Sequence, residues 1–221
     1  KGAVYVIFGD ESSSIPDLDM PSQTFNPLSR GFIITGNAQS DYLGYSVSSA
    51  GDVNKDGYSD ILIGAYDKDG SKGAVYVIYG GASLSNIDLA NPSSGLDPGT
   101  TGFVVKGTGS SFLGYSVSTA GDVNNDGYDD ILIGAYKNDS SKGAAYVIYG
   151  GPTSTRKNIN LSDFVSLDPL TTGFSVTGNA QNDYFGYSVS NGGDINGDLI
   201  DDVIIGAPAP LTSTEKGKVY V

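Results

Sequence analysis

The sequence predicts an all-β chain of β-propeller blades, about three repeats of four antiparallel strands each. A run of oxygen-bearing side chains at alternate positions occurs three times in one phase. Other short motifs keep a fixed place around each copy. The apolar runs between them are six to nine residues long and interrupted by glycine, and none sustains apolar residues at helical spacing over three turns.

The elements follow in order within one repeat. Gly114 to Ala120 alternates small or polar residues with apolar ones and leads into an aspartate-rich loop, and Asp130 to Tyr136 leads out of it as an apolar run. The two form a hairpin. Lys137 to Lys142 reads as a polar turn before Gly143 to Gly150, a third strand whose two faces are both apolar and therefore both covered. A long Ser-, Thr- and Pro-containing connection, Gly151 to Thr172, precedes the fourth strand, Gly173 to Gly178, which matches Gly31 to Gly36 and Gly102 to Gly107. Four strands make one blade. Short turns are expected inside the connections 12–29, 82–101 and 152–172.

The repeat is exact enough to set blade limits. The strand motif Lys-Gly-Ala-Val-Tyr-Val at residues 1 and 72 recurs in altered form at 142 and 216, a spacing of 70 to 74 residues. Units of this size complete their cores against neighbours. The expected divisions are a partial blade at 1–36, blades at 37–107 and 108–178, and a partial blade at 179–221. Hairpin directions put the aspartate loops and long connections on one face, and the segments 37–42, 108–112 and 179–184 on the other.

Composition narrows the function. A net charge of −13 with 12 Lys and Arg argues against nucleic acid and anionic membrane surfaces, which need basic patches. No apolar run approaches the length that would insert directly in a membrane. The absence of Cys and His removes disulfides, thiolate zinc sites and most hydrolase triads, so no enzyme activity is expected.

The alternating loops have the chemistry of a hard-cation site, because calcium takes six to eight oxygens and a side chain at every second position folds inward around one centre. The candidate ligands are Asp52, Asn54, Asp56 and Asp60; Asp122, Asn124, Asp126 and Asp130; and Asp194, Asn196, Asp198 and Asp202. Backbone carbonyls of Tyr58, Tyr128 and Ile200 complete the three sets. About three calcium ions are expected, one per loop, bringing the charge to about −7 and coupling folding to binding. Magnesium fits less well, since it keeps several waters in a tight octahedron. An EF-hand is the other metal reading, but its Glu at position twelve is replaced by Ile63, Ile133 and Ile205.

Leu43-Gly44-Tyr45-Ser46, Leu113-Gly114-Tyr115-Ser116 and Phe185-Gly186-Tyr187-Ser188 precede the loops, and Ile63-Gly64-Ala65-Tyr66, Ile133-Gly134-Ala135-Tyr136 and Ile205-Gly206-Ala207-Pro208 follow them. This ordered combination strongly resembles the FG-GAP repeat, the blade unit of integrin alpha-subunit β-propellers and of many secreted bacterial and algal proteins. The resemblance covers nearly the whole chain. It implies a four-stranded blade with calcium in the hairpin between its first two strands.

Two departures matter. Leu199 stands where the other loops have Gly57 and Gly127, and a left-handed backbone there would cost about 1–2 kcal/mol, so the third loop should be weakest. Propellers close with four to eight blades, so three imply a piece of a longer array or association of copies. The matching strand motifs at the two ends point the same way.

The expected function is that of a calcium-stabilised, extracellular or cell-surface propeller segment acting in cell adhesion, ligand binding or matrix interaction. Its partner would be a protein, a glycan or copies of itself. A head-to-tail subunit of an extracellular filament or sheath, and an accessory propeller of a secreted hydrolase, are the alternatives. Tyr76, Tyr79, Tyr146 and Tyr149 read as packing between sheets rather than as sugar platforms. The sequons at Asn138 and Asn160 are expected in turns or loops, open to glycosylation on secretion from a eukaryote.

Overall fold

The computed structural model describes residues 2–9, 31–91, 96–163, 167–208 and 217–221. The expected connection at 12–29 lies outside them. The chain runs through β1 (Ala3–Ile7), β2 (Gly31–Thr35), β3 (Ser46–Gly51), β4 (Asp60–Ala65), β5 (Ala74–Ile78), β6 (Ile87–Asp88) and β7 (Gly102–Lys106). It continues through β8 (Ser116–Gly121), β9 (Asp130–Ala135), β10 (Ala144–Ile148), β11 (Ile159–Asn160), β12 (Gly173–Thr177), β13 (Ser188–Gly193), β14 (Asp202–Ala207) and β15 (Lys218–Tyr220). The meanders β3-β4-β5-β7 and β8-β9-β10-β12 are the expected four-stranded antiparallel blades. β1 with β2, and β13-β14-β15, supply parts of two more.

Both faces of a central blade are buried, as the doubly apolar third strands require. Leu62, Val75, Val77 and Val105 of one blade pack on Val117, Ile131 and Ile133 of the next. From the opposite face Ile63, Tyr76, Ile78 and Val104 meet Phe32 and Ile34. Leu132, Ala145 and Val147 continue the stack onto Phe185 and Ile205. Tyr76, Tyr79 and Tyr149 are buried in these layers and Tyr146 packs against one, as expected for packing. The hydroxyls of Tyr79 and Tyr149 donate to the carbonyls of Pro98 and Pro169, both at 3.2 Å.

Blades approach each other closely at the glycines of the two flanking motifs. Ser46 Oγ donates to Gly114 O at 2.7 Å and Ser116 Oγ to Gly186 O at 3.0 Å. A Cβ on Gly64 or Gly134 would strike those same serines and carbonyls, which is why glycine stands there.

The long connections depart from a purely antiparallel plan. β6 leaves its own blade and pairs in parallel with β2 of the preceding one, and β11 does the same with β7. Asn86 and Asn158 prepare these crossings by accepting the N–H of Ile33 and of Val104, both at 2.9 Å. The repeated Asn-Ile before Asp88 and Asn160 was the available signal. A two-residue strand has too short a period to be read as one. Of the sequon asparagines, Asn138 opens the turn before β10, whereas Asn160 lies in β11 and accepts the Ser162 hydroxyl at 2.8 Å.

Candidate metal loops and an aromatic face

Each aspartate loop follows a bulge, where the register between first and second strands shifts at Ser49/Gly51, Thr119/Gly121 and Asn191/Gly193. The extra residue turns the chain out of the sheet and starts the loop on Asp52, Asp122 or Asp194. In the first loop Asp52 Oδ1 accepts the Asp56 N–H at 3.0 Å and Oδ2 that of Gly57 at 2.8 Å. Asn54 Oδ1 also accepts from Asp56 N, and Asp56 Oδ1 accepts from Tyr58 N. The second loop repeats all four bonds on Asp122, Asn124 and Asp126. In the third, Asp194 takes the N–H groups of Gly197, Asp198 and Leu199, a set that holds its carboxyl below the usual range, with Leu199 foremost.

The last aspartate of each loop closes it. Asp60 accepts Val53 N–H at 2.9 Å and Gly80 N–H at 2.7 Å, and Asp130 accepts those of Val123 and Gly150 at 3.0 and 2.8 Å. These carboxylates are 1% and 0% exposed. Burial pushes each up to about 7; the two N–H donors oppose the rise, and the loop's other aspartates add to it. Asp202 is less buried and takes the Ile195 N–H at 2.8 Å.

Among the described residues no three or more acidic side chains are gathered as they would be around a metal ion. The loop oxygens instead face the loop's own N–H groups. The donor set nonetheless fits a hard cation in kind: every side chain is a carboxylate or amide, and the hydrogen-bond partners of the buried Asp60 and Asp130 carboxyls are neutral backbone N–H groups. When bound, a divalent ion would supply positive charge beside these carboxyls and favour their ionised form.

The opposite face carries a feature that the strand reading did not anticipate. Tyr45, Tyr115 and Tyr187 form a row across three blades, with ring centroids 4.9 and 5.1 Å apart. Tyr66 and Tyr136 wedge against that row at 4.5 and 4.4 Å, and Tyr42, Phe112 and Tyr184 flank it from the entry segments at 5.2, 5.4 and 5.9 Å from those wedges. Tyr42, Tyr45 and Tyr187 are 51%, 50% and 42% exposed. Tyr115 Oη donates to Tyr187 Oη at 3.2 Å, and burial raises the Tyr115 hydroxyl above its ordinary value. The signal was present in the repeated Gly-Tyr-Ser, but adjacency across blades is invisible in one repeat.

Beside this face the buried Lys68 donates to Asp41 Oδ2 at 3.0 Å and Asn37 Oδ1 at 3.2 Å, pinning the turn after β4 to the segment entering β3. Burial works against the ammonium, but the Asp41 bond and neighbouring negative groups leave it above the usual lysine value.

A family model described as FG-GAP repeat matches residues 43–78, 113–148 and 185–221. The chain is similar to integrin alpha-6 of Gallus gallus, 29% identical over 197 residues that cover 88% of this chain and 16% of that protein. Integrin alpha-6 of Homo sapiens is 30% identical, with 79% of this chain and 13% of the relative covered. Integrin alpha-PS2 of Drosophila melanogaster is 31% identical, with 80% and 12% covered. The chain thus spans between 12% and 16% of the length of these relatives.

Proposed function

Because the chain belongs to the FG-GAP repeat family and carries that unit three times, we propose that it is a calcium-stabilised segment of an extracellular or cell-surface propeller. It acts in adhesion, ligand binding or matrix interaction, and not in catalysis. The integrin relatives support this setting. The blade limits proposed are 37–107 and 108–178, with parts of blades before and after.

The observation that carries the calcium reading is the pair of buried carboxylates, Asp60 and Asp130, each closing a loop of oxygen donors without a cationic partner in its hydrogen-bond set. In the first loop Asp52, Asn54, Asp56, Asp60 and the Tyr58 carbonyl hold the ion. Asp122, Asn124, Asp126, Asp130 and the Tyr128 carbonyl do so in the second, and Asp194, Asn196, Asp198, Asp202 and the Ile200 carbonyl in the third. The protein or glycan ligand binds across the tyrosine row, whose half-exposed rings offer flat apolar area with polar edges.

Isothermal titration of calcium into the chelator-stripped chain, paired with thermal melts, tests the reading. Three binding events and a large rise in melting temperature are expected. No binding and an unchanged melt would reduce the loops to ordinary Asx turns.

A further inference from the structure

The aspartate at position eight of each later loop does not serve its own loop. Asp129 lies between Tyr128 and Asp130, yet its Oδ2 accepts the N–H of Asp52, the first residue of the preceding loop, at 2.7 Å. Asp129 N in turn donates to Asp52 O at 3.3 Å. One blade further on, Asp201 Oδ2 accepts the Asp122 N–H at 2.9 Å. Gly51 and Gly121, with φ of +73° and +71°, make room for these carboxylates, and a Cβ on either glycine would strike them.

The first loop supplies a comparison within the molecule. Its position eight is Ser59, and still it forms the same four internal hydrogen bonds as the loop bearing Asp129. Asp129 is therefore dispensable for the shape of loop 122–130. Its carboxylate is spent on loop 52–60.

We propose that Asp129 and Asp201 are positioning residues that couple the metal loops in series, so that filling one loop raises the affinity of the loop before it. The inference rests on the calcium reading above. An ion held by the Tyr128 carbonyl and Asp130 orders both neighbours of Asp129. The ordered carboxylate then holds the Asp52 backbone and adds negative charge beside the preceding loop. Ordering completed at one site need not be repeated at the next, which is a source of positive coupling. Linkage makes the coupling reciprocal: an ion at loop 52–60 strengthens loop 122–130 by the same factor.

The test follows calcium titration of the whole chain by the amide signals of Gly57, Gly127 and Leu199, one per loop. In the otherwise native chain, Asp126→Ala disables loop 122–130 and should raise the midpoint at Gly57 by about five-fold or more, the lower range of measured couplings. In an Asp129→Ala background the same disabling change should leave the Gly57 midpoint where it was. Asp129→Asn keeps size and an acceptor oxygen, and serves if the alanine variant does not fold; it should retain part of the coupling. Asp201→Ala with Asp198→Ala repeats the experiment on the other pair, read at Gly127. If all three amides respond in the native chain and Gly127 falls silent in Asp126→Ala, a Gly57 midpoint indifferent to that change overturns the coupling and leaves the calcium reading intact. A shift that persists without Asp129 overturns its assigned role. Absence of any response at the three amides removes the calcium reading and the coupling with it.

Discussion

Gly197 and Leu199 are both left-handed, with φ of +82° and +71°, and together they invert the arrangement of the other two loops. There the corresponding pairs are Lys55 with Gly57, at +60° and +89°, and Asn125 with Gly127, at +57° and +84°. Every loop thus has two left-handed residues and one glycine, and the third has moved its glycine two positions. The strain expected at Leu199 is present, but Gly197 relieves the place where Lys55 and Asn125 carry theirs.

Leu199→Gly should therefore stabilise the chain by about 1 kcal/mol, and Lys55→Gly by less, since each removes a Cβ from a left-handed position and gives back part of the gain in unfolded-state entropy. Both side chains are exposed, but Lys55→Gly also gives up the ammonium that lies 5.4 Å over the Tyr128 ring, so its gain should be the smaller of the two. Urea unfolding with an unchanged slope measures the difference.

Chelation should lower the melting temperature in proportion to the loops emptied. A filled site adds about 2.7 kcal/mol when free calcium is one hundred times its dissociation constant. Melts at stepped calcium concentrations check this, and equimolar magnesium should restore far less.

Lys68→Ala should destabilise by about 3 kcal/mol, because it leaves Asp41, 8% exposed, as an unpaired charge. The double variant Lys68→Met with Asp41→Leu should recover much of that loss. A double-mutant cycle by chemical denaturation reads the coupling.

Alkaline pH should unfold the chain in a defined window. Burial pushes the Tyr79 hydroxyl up to about 12 and raises Tyr76 and Tyr146, and Lys68 is raised as well. A raised folded value means stability that is complete below the unfolded value, about 10 for these groups, and lost as pH rises through the folded value. The loss should run from about pH 10 to 12. Tyr79 contributes on the order of 2 to 3 kcal/mol of it. Tyr79→Phe should flatten the decline in a melt series across that range.

The four-stranded blades and the phase of the three loops were legible in the sequence because both depend on local periodicity. Alternation along β4 and β9 assigns side chains to two buried faces, and Asp-x-Asn-x-Asp spacing turns its oxygens to one side of a tight loop whatever lies beyond. Leu199 could be recognised as an exception by aligning the copies, although the compensating role of Gly197 required the backbone angles.

Only the tertiary structure decided which residues act across a blade boundary. The Asp129 carboxylate meets Asp52 although 77 residues separate them, and Asn158 reaches Val104 over 54. Tyr45 joins Tyr115 only because successive blades place equivalent strands side by side. One chain's sequence records what each unit repeats; the offset between units, set by packing of their buried faces, determines which repeated groups come into contact.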